Sequence, residues 1–549
     1  MPDRAAPRLL DELRPMSLSA LGRGYRLQDL RADALAGLTV AIVALPLSMA
    51  IAIASGVGPE RGLYTAIVGG FLVSLLGGSR YQIGGPAGAF IVLVAGTVMQ
   101  IGVEGLILAT FLSGIMLMLV GLLRLGDYIK FIPFPVTVGF TSGIAVIIAA
   151  SQVADFFGLR LEQAAPPEFL HKLAVIWDAR ATVDLVTTLV AAGTVALILL
   201  LRRFRPGWPG MLIAIALGGV LAFAGLPVET IGDRFGELPR SLPAPALPGF
   251  AMPAIVQALP YAVAFTLLGA IESLLSAVVA DGMSGQRHRS NAELLGQGMA
   301  NMGSALFGGF CVTGTIARTA TNVRAGSHGP MSGMLHAVFV ALVLLLAAPL
   351  AVHIPLAGLA GVLIVVAWNM FEKEEFLSLI RVSRADAAVL LITFLLVVFR
   401  DLTEGIIAGT ALGGAVFIRR MSEAARLEQV APPDTAPREQ SENVVVYSLR
   451  GAYFFGAAAT MGRVLDRISD MPRMLVLDLS RVPFVDTSGA QSMVGLARKL
   501  ERQGGCLALV GAAPEVAKVL RSQFGHHASP KFFDRLEDAM AESCADRQG

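Results

Sequence analysis

The sequence predicts an all-α polytopic membrane protein with fourteen transmembrane segments in a 7+7 inverted repeat, followed by a cytoplasmic α/β domain. Three observations carry that prediction. Residues 34–420 form an almost unbroken succession of apolar stretches. The 549-residue chain is 55% hydrophobic and 15% charged, with a mean hydropathy of +0.68, whereas a soluble chain is roughly a quarter charged. Two of the apolar stretches are unusually short and open on glycine-rich turns, Gly84-Gly85-Pro86-Ala87-Gly88-Ala89 and Cys311-Val312-Thr313-Gly314-Thr315-Ile316-Ala317-Arg318.

Residues 1–33 mix arginines with aspartates and a glutamate, and the first apolar run leads straight into a polytopic pattern, so a cytoplasmic N-terminal segment rather than a cleavable signal precedes the first span. A spanning helix needs about 20 apolar residues. On that basis spans fall near 34–54, 62–78, 104–123, 131–151, 181–201, 209–225, 255–281, 291–309, 331–352, 354–371, 384–400 and 402–419, with Pro133 and Pro135 opening the fifth. The short segments near 86–100 and 313–325 bring the total to fourteen. Neither is long enough to cross as a helix, so an extended stretch, Tyr81 to Gly85 and Phe310 to Thr313, completes each crossing. Such backbone is tolerated at membrane depth only where protein or a cavity satisfies it.

Arginines and lysines alternate between loops. They mark the loops with Arg80, Arg124 and Lys130, Arg202 and Arg203, Arg287 and Arg289, Arg324, and Arg381 and Arg384 as cytoplasmic. An even span count then puts both termini in the cytoplasm. Halves of seven spans place the short segments third and tenth, the matched positions of an inverted repeat, with their half-helix N-termini approaching from opposite sides at mid-membrane. Bare helix N-termini present unpaired N–H groups and partial positive charge, so the substrate they imply is an anion. Residues 421–442 read as a linker. Residues 443–549 read as a small α/β domain, with buried strands at Val444–Tyr447, Met474–Asp478 and Leu507–Val510.

Glu272 is the one ionisable side chain in its span, and an intramembrane acid is a functional hypothesis by default. Ser276, four residues on, shares its helix face. Carboxylate and hydroxyl together can hold Na⁺, and the carboxylate alone can hold H⁺. Arg318 falls one turn inside the second short helix. It either adds to the field on an anion or is the internal partner of Glu272, and both readings stay open. Gly84, Gly85, Gly88 and Gly314 permit tight turns and close backbone approach. Ser290-Asn291-Ala292-Glu293 reads as a capping box, His336 as a packed residue, and His526-His527 as a pair with no third ligand. Cys311, Cys506 and Cys544 form neither a disulfide framework nor a metal site and read as reduced thiols. No P-loop lysine motif, HExxH or Gly-x-Ser-x-Gly occurs, which speaks against ATP-driven transport and against an enzyme. In the soluble part, Thr487 and Ser488 open a helix after Asp486, a place for a phosphate or simply an N-cap.

The chain resembles the sulfate permease family, the SulP-type anion transporters. The resemblance rests on Pro46-Leu47-Ser48-Met49-Ala50-Ile51-Ala52, Gly58-Pro59-Glu60-Arg61-Gly62-Leu63-Tyr64, Gly84-Gly85-Pro86-Ala87, Gly139-Phe140-Thr141-Ser142-Gly143-Ile144 and Gly314-Thr315-Ile316-Ala317-Arg318-Thr319. The C-terminal part is similar to a STAS domain, with Asp486-Thr487-Ser488-Gly489 as its hydroxyl motif. The resemblance implies a core domain of spans 1–4 and 8–11, a gate domain of spans 5–7 and 12–14, elevator-like movement and a homodimer. It places the anion site at Leu47 and Ile51, at Ala87, Gly88 and Ala89, and at Gly314, Thr315, Ala317 and Arg318, with Glu272 and Ser276 for a coupling ion. Relatives carry glutamine in place of Leu47 and serine in place of Ala317, so this site leans harder on backbone amides. The run from Ala280 to Gly298 looks closest to the bicarbonate transporter branch, which is Na⁺-coupled with aspartate where Glu272 stands. Both H⁺ and Na⁺ therefore remain open.

The function expected is secondary active transport of a small inorganic oxyanion, sulfate or bicarbonate, by cation-coupled symport across a bacterial inner membrane. Exchange, dicarboxylate transport, and a sensor or scaffold signalling through the STAS domain are the alternatives. The partners expected are the anion, the bilayer, a second copy of the chain and a regulatory protein at the STAS domain, with phosphate on Thr487 or Ser488. No nucleic acid and no metal other than Na⁺ is expected.

Overall fold

The computed structural model describes residues 12–22, 24–129, 132–161, 168–430, 444–456, 473–525 and 530–541. His526, His527, Cys544 and the proline-rich stretch 431–442 lie outside them. The chain divides into two compact units, Met1–Thr410 and Ala411–Gly549.

Each predicted span has its counterpart. Span 1 is Leu27–Ala54, and span 2 runs from Pro59 to Leu76 through a π-helical turn at Thr65–Gly69. Span 3 enters as strand β1, Gly84–Gly85, turns through Gly88–Phe90 and continues into the helix Ile91–Leu122, the rest of which is span 4. Gly102, at φ +71°, breaks that helix between the two. Spans 5, 6 and 7 are Phe134–Phe157, Leu185–Phe204 and Gly210–Phe223, and spans 8 and 9 are Met252–Ser284 and Ser290–Leu306. Span 10 enters as β2, Thr313–Gly314, followed by the helix Ile316–Arg324. Spans 11 to 14 are Met331–Ala351, Leu356–Met370, Arg384–Phe399 and Leu402–Ala424. Among the described residues, eight helices are long and apolar enough to cross a bilayer unaided.

Span 1 begins at Leu27 rather than near 34, because Asp29 caps it by accepting from the Arg26 amide at 2.8 Å and the helix continues into polar sequence. Hydropathy registers only the part of a helix that needs lipid. Pro133 is the N-cap of span 5 and Pro135 lies in its first turn, as expected.

Spans 1–4 and 8–11 pack on one another, and spans 5, 6, 7, 12 and 13 form a second group. Small residues set the closest approaches, as membrane helix packing requires. A Cβ built on Gly114 would lie 2.6 Å from the Gly298 carbonyl, and one on Gly298 would lie 2.5 Å from that of Gly114, locking spans 4 and 9.

The second unit carries a five-stranded sheet in the order β3-β4-β5-β6-β7. The strands are Arg426–Val430, Val444–Arg450, Met474–Arg481, Cys506–Val510 and Lys531–Phe533. β3 is antiparallel to β4 and the remaining pairs are parallel. β3 falls inside the stretch read as linker, since its polar edge-strand sequence shows no apolar run. The Leu475, Leu477, Leu507 and Leu509 face packs on the helices Thr487–Arg502 and Pro514–Phe524. Cys506 is disulfide-bonded, so the expectation of a reduced thiol fails there and holds for the buried, free Cys311, while Cys544 lies outside the described residues. Spacing along a chain does not tell which thiols a fold brings within bonding distance.

Candidate functional site

The two broken crossings meet. β1 and β2 form an antiparallel ladder in which Gly84 faces Gly314 and Gly85 faces Thr313. The Thr315 amide adds a bond to the Ile83 carbonyl at 3.0 Å, and the Thr319 hydroxyl accepts from the Ile83 amide at 3.1 Å. Gly84, Gly85 and Gly314 all have ordinary φ angles. They are glycines because of what lies against them. A Cβ on Gly84 would press on Val73, one on Gly85 on the Arg318 guanidinium, and one on Gly314 on the Gln82 amide.

Non-helical backbone in a membrane interior needs partners for every N–H and C=O. Span 9 supplies them. Asn301 donates to the Val312 carbonyl and accepts from the Val312 amide, both at 3.0 Å, and Gln297 also donates to that carbonyl. Ser304 donates to the Phe310 carbonyl at 2.7 Å. Glu293 accepts from the amides of Gly78 and Ser79 at 2.8 and 2.9 Å and from Gln82 at 2.8 Å. The expected capping box is therefore corrected. Arg289 is the N-cap of span 9, and Glu293 reaches across to the end of span 2 instead of back to its own helix. A carboxylate among three donors from another segment is better satisfied there than at an exposed cap.

Neither half-helix is capped by its own side chain. Ala87 is the extended N-cap of the turn at Gly88–Phe90, and Thr315 that of Ile316–Arg324. The Thr315 hydroxyl is committed to the Ile83 carbonyl at 3.3 Å. First-turn amides at both ends are thus left for a ligand, and they carry the positive ends of the two helix dipoles. Gly88 lies against spans 5 and 12. A Cβ there would sit 3.3 Å from Ile148 Cδ1 and 3.5 Å from Met370 Sδ. Leu47, Ile51, Ala87 and Ala89 are buried, and Ala317 is exposed.

Arg318 is 2% exposed and sits behind this ladder. Its Nη2 donates to the Ser48 hydroxyl at 3.1 Å and to the Pro86 carbonyl at 3.2 Å, tying span 10 to spans 1 and 3. Its Nε and Nη1 have no hydrogen-bond partner, and among the described residues it has no ion-pair partner. The reading of Arg318 as the internal partner of Glu272 is therefore not what the fold builds. Arg318 stands as an uncompensated positive charge beside two positive helix ends.

Glu272, 7% exposed in span 8, likewise has no ion-pair or hydrogen-bond partner among the described residues. Ser276 points its hydroxyl at Thr319 at 3.1 Å and so belongs to the crossing. His336 is buried in span 11. In the second unit, Asp486 is the N-cap of Thr487–Arg502 and accepts from the Gly489 amide at 2.7 Å. That leaves Thr487 and Ser488 exposed at the helix entrance.

Sequence reasoning missed Gln82, Glu293, Gln297, Asn301 and Ser304 as the scaffold of the site. A signal was present. Positions 293, 297, 301 and 304 recur every four, four and three residues, a polar stripe along one face of an otherwise apolar span.

Comparison with known proteins follows the same division. The sulfate permease family matches residues 30–393, and the STAS domain matches residues 435–539. The Bacillus subtilis (strain 168) protein named "Putative sulfate transporter YvdB" is 42% identical over 528 residues, covering 95% of this chain and 99% of its own length. The bicarbonate transporter BicA of Picosynechococcus sp. is 31% identical over 521 residues, covering 90% of each chain. Among solved structures, the transmembrane domain of a cyanobacterial BicA is 32% identical with a TM-score of 0.63, covering 70% of this chain and 98% of that one. SLC26A9 matches the fold with a TM-score of 0.84 at 17% identity, over 98% of this chain and 96% of that one.

Proposed function

This chain belongs to the sulfate permease family, and we propose that it is a secondary active transporter of sulfate or bicarbonate, driven by H⁺ or Na⁺. The observation that carries this reading is a concentration of positive potential without a counter-charge. Two half-helix N-termini meet at the β1–β2 ladder, and Arg318 lies behind them with no carboxylate partner. A small oxyanion supplies the missing negative charge and accepts several backbone N–H bonds at once. The site residues are Leu47, Ile51, Ala87, Gly88 and Ala89 on one side, and Gly314, Thr315, Ala317 and Arg318 on the other.

The second element is Glu272. A buried carboxylate without a partner is costly unless a proton or a cation accompanies it. A cation bound at Glu272, with Ser276 nearby, neutralises it and adds to the attraction for the anion. The core group of spans then carries both ions past the gate group as an elevator, with two copies of the chain forming a homodimer. The alternation of basic loops supports cytoplasmic termini in a bacterial inner membrane. Exposed Thr487 and Ser488 offer a regulatory phosphorylation point on the STAS domain, where a regulatory protein would dock. The chain does no covalent chemistry in this reading and uses no cofactor beyond the coupling ion.

The test is uptake of labelled sulfate and labelled bicarbonate into proteoliposomes under imposed H⁺ or Na⁺ gradients. The expected result is accumulation of one anion against its gradient, lost in Glu272→Gln, while exchange of that anion across the membrane persists. Full gradient-driven accumulation by Glu272→Gln would overturn the coupling role. Equal failure of both anions to move would overturn the substrate class.

A further inference from the structure

The stretch Gly58–Tyr64 carries part of the family resemblance and has no place in the anion site. It opens span 2 on the face opposite the basic loops, and there it lines a cavity of about 690 Å³. That volume falls within the roughly 300–1,000 Å³ usual for small-molecule sites. Glu60, Arg61 and Tyr64 come from span 2, and Glu104 and Ile107 from the start of span 4. Leu306 and Gly308 come from the end of span 9 and the turn after it. None of the residues assigned to the anion is in the lining.

The outer wall is the proline-rich segment 235–249, which leads from span 7 to span 8. Pro239, Pro243, Pro245 and Pro248 stiffen it by fixing φ. Side chains and backbone then pin it down. Leu238 is buried, and the Ala246 amide donates to the Leu306 carbonyl at 2.8 Å. The Phe250 ring meets the Phe111 ring of span 4 edge-on, with 5.5 Å between centroids. Fixed contacts therefore build the cavity.

Its lining carries three carboxylates, Glu60, Glu104 and Glu237, against one guanidinium. That guanidinium is committed to backbone, since Arg61 Nη1 donates to the Gly308 carbonyl at 2.7 Å. Among the described residues, none of the three carboxylates has an ion pair or a hydrogen bond. Acids in the first turn of a helix are ordinary, which accounts for Glu60 and for Glu104, just past the break at Gly102. It does not account for Glu237, which opens no helix. Nor does it account for Tyr64, which is 6% exposed and lines the cavity, yet whose hydroxyl has no hydrogen-bond partner among the described residues. A buried tyrosine hydroxyl ordinarily finds one. An ammonium group donates to carboxylate and hydroxyl oxygens alike. The carboxylates do not form a metal site, because no three acids among the described residues lie close enough to hold an ion. Between them the walls are apolar, with Ile107, Pro243 and Leu247, and suit a methylene chain.

We propose that this cavity binds a linear aliphatic amine with two or more ammonium groups. Its charged ends lie on Glu60, Glu104 and Glu237, its chain lies on the proline and leucine wall, and the Tyr64 hydroxyl accepts from one ammonium. The inference goes beyond the transport reading and does not depend on the coupling ion. A bound amine touches both the segment leaving span 7 and the ends of spans 2, 4 and 9.

The test is equilibrium dialysis of radiolabelled spermidine against the full-length protein in detergent at physiological salt. Saturable binding is expected. Glu237→Gln, at an exposed position, should raise Kd about tenfold, equivalent to ~1.4 kcal/mol. Tyr64→Phe, which keeps the ring and removes the hydroxyl, should raise it about fivefold. Glu404→Gln removes an equal charge at an exposed position outside the cavity and should bind as wild type does. No saturable binding would overturn the proposal. So would an equal loss in Glu404→Gln, which would mark diffuse attraction to surface charge. Displacement of spermidine by an equal concentration of Mg²⁺ would overturn the ligand class.

Discussion

The third and tenth spans share a backbone and differ in everything else. Each enters as a two-residue strand, pairs with the other, and starts a helix without a side-chain cap. Beyond that point span 3 is Phe90-Ile91-Val92-Leu93-Val94, apolar up to the break at Gly102 that separates it from span 4, while span 10 is a helix of nine residues carrying Arg318, Thr319, Thr321, Asn322 and Arg324. Backbone geometry can repeat across an inverted duplication because it depends on little more than a glycine-rich entry. The buried guanidinium of Arg318 is supplied by one half and leans on the other half for its position. Arg318 is held by Pro86 of span 3 and Ser48 of span 1, and Gly85 of span 3 leaves room for it. The scaffold is symmetric and the chemistry is not.

Substitutions on the two sides should therefore differ in size. The largest effect is expected at Arg318→Gln, where losing a buried cation without an ion-pair partner among the described residues should lower sulfate or bicarbonate uptake by about a hundredfold, or ~2.7 kcal/mol. Comparable uptake by wild type and variant would break the asymmetry. Asn301→Leu should come next, because it leaves the Val312 amide unpaired in the interior and its carbonyl held by Gln297 alone. It should destabilise the protein by about 1–3 kcal/mol, read as a clear drop in the thermal midpoint of the detergent-solubilised protein. Gly85→Ala on span 3 should act through span 10, raising KM for the anion about tenfold as the guanidinium is displaced, with a thermal midpoint close to wild type. A loss confined to stability would instead show that Gly85 serves packing alone. Ser48→Ala removes one neutral acceptor from Arg318 and should cost about 1 kcal/mol, a fivefold rise in KM. Smallest for transport is Asp486→Ala in the second unit. It removes a helix N-cap and should lower the STAS unfolding midpoint by about 1 kcal/mol in stability without changing KM.

Much of this architecture was legible along the chain. Apolar run lengths placed the spans, since the bilayer accepts only segments whose backbone bonds are satisfied internally or by neighbours. Pro86 and the flanking glycines disclosed the broken crossings. Boundaries at the polar ends were less legible: Asp29 and Arg26 extend span 1 beyond what lipid requires. β3 escaped notice because an edge strand with two charged residues has no apolar signature. At the site, Arg318 and Glu272 stood out as intramembrane charges, but their relation did not. A charge on each of two helices invites pairing, and nothing in one dimension says that Arg318 turns to Ser48 and Pro86 while Glu272 is buried without an ion-pair partner among the described residues.

What the sequence alone determined is the count of spans, the two interruptions and the sign of the ligand, because each follows from local composition and from the cost of exposing backbone or charge to lipid. What only the tertiary structure decided is who satisfies whom. The span 9 stripe that holds the extended segments, and the separate burial of Arg318 and Glu272, depend on helix rotation and on contacts between residues distant in the chain. Hydrogen bonds and unscreened charges act over a few ångströms, and those distances exist only after packing has fixed which faces meet.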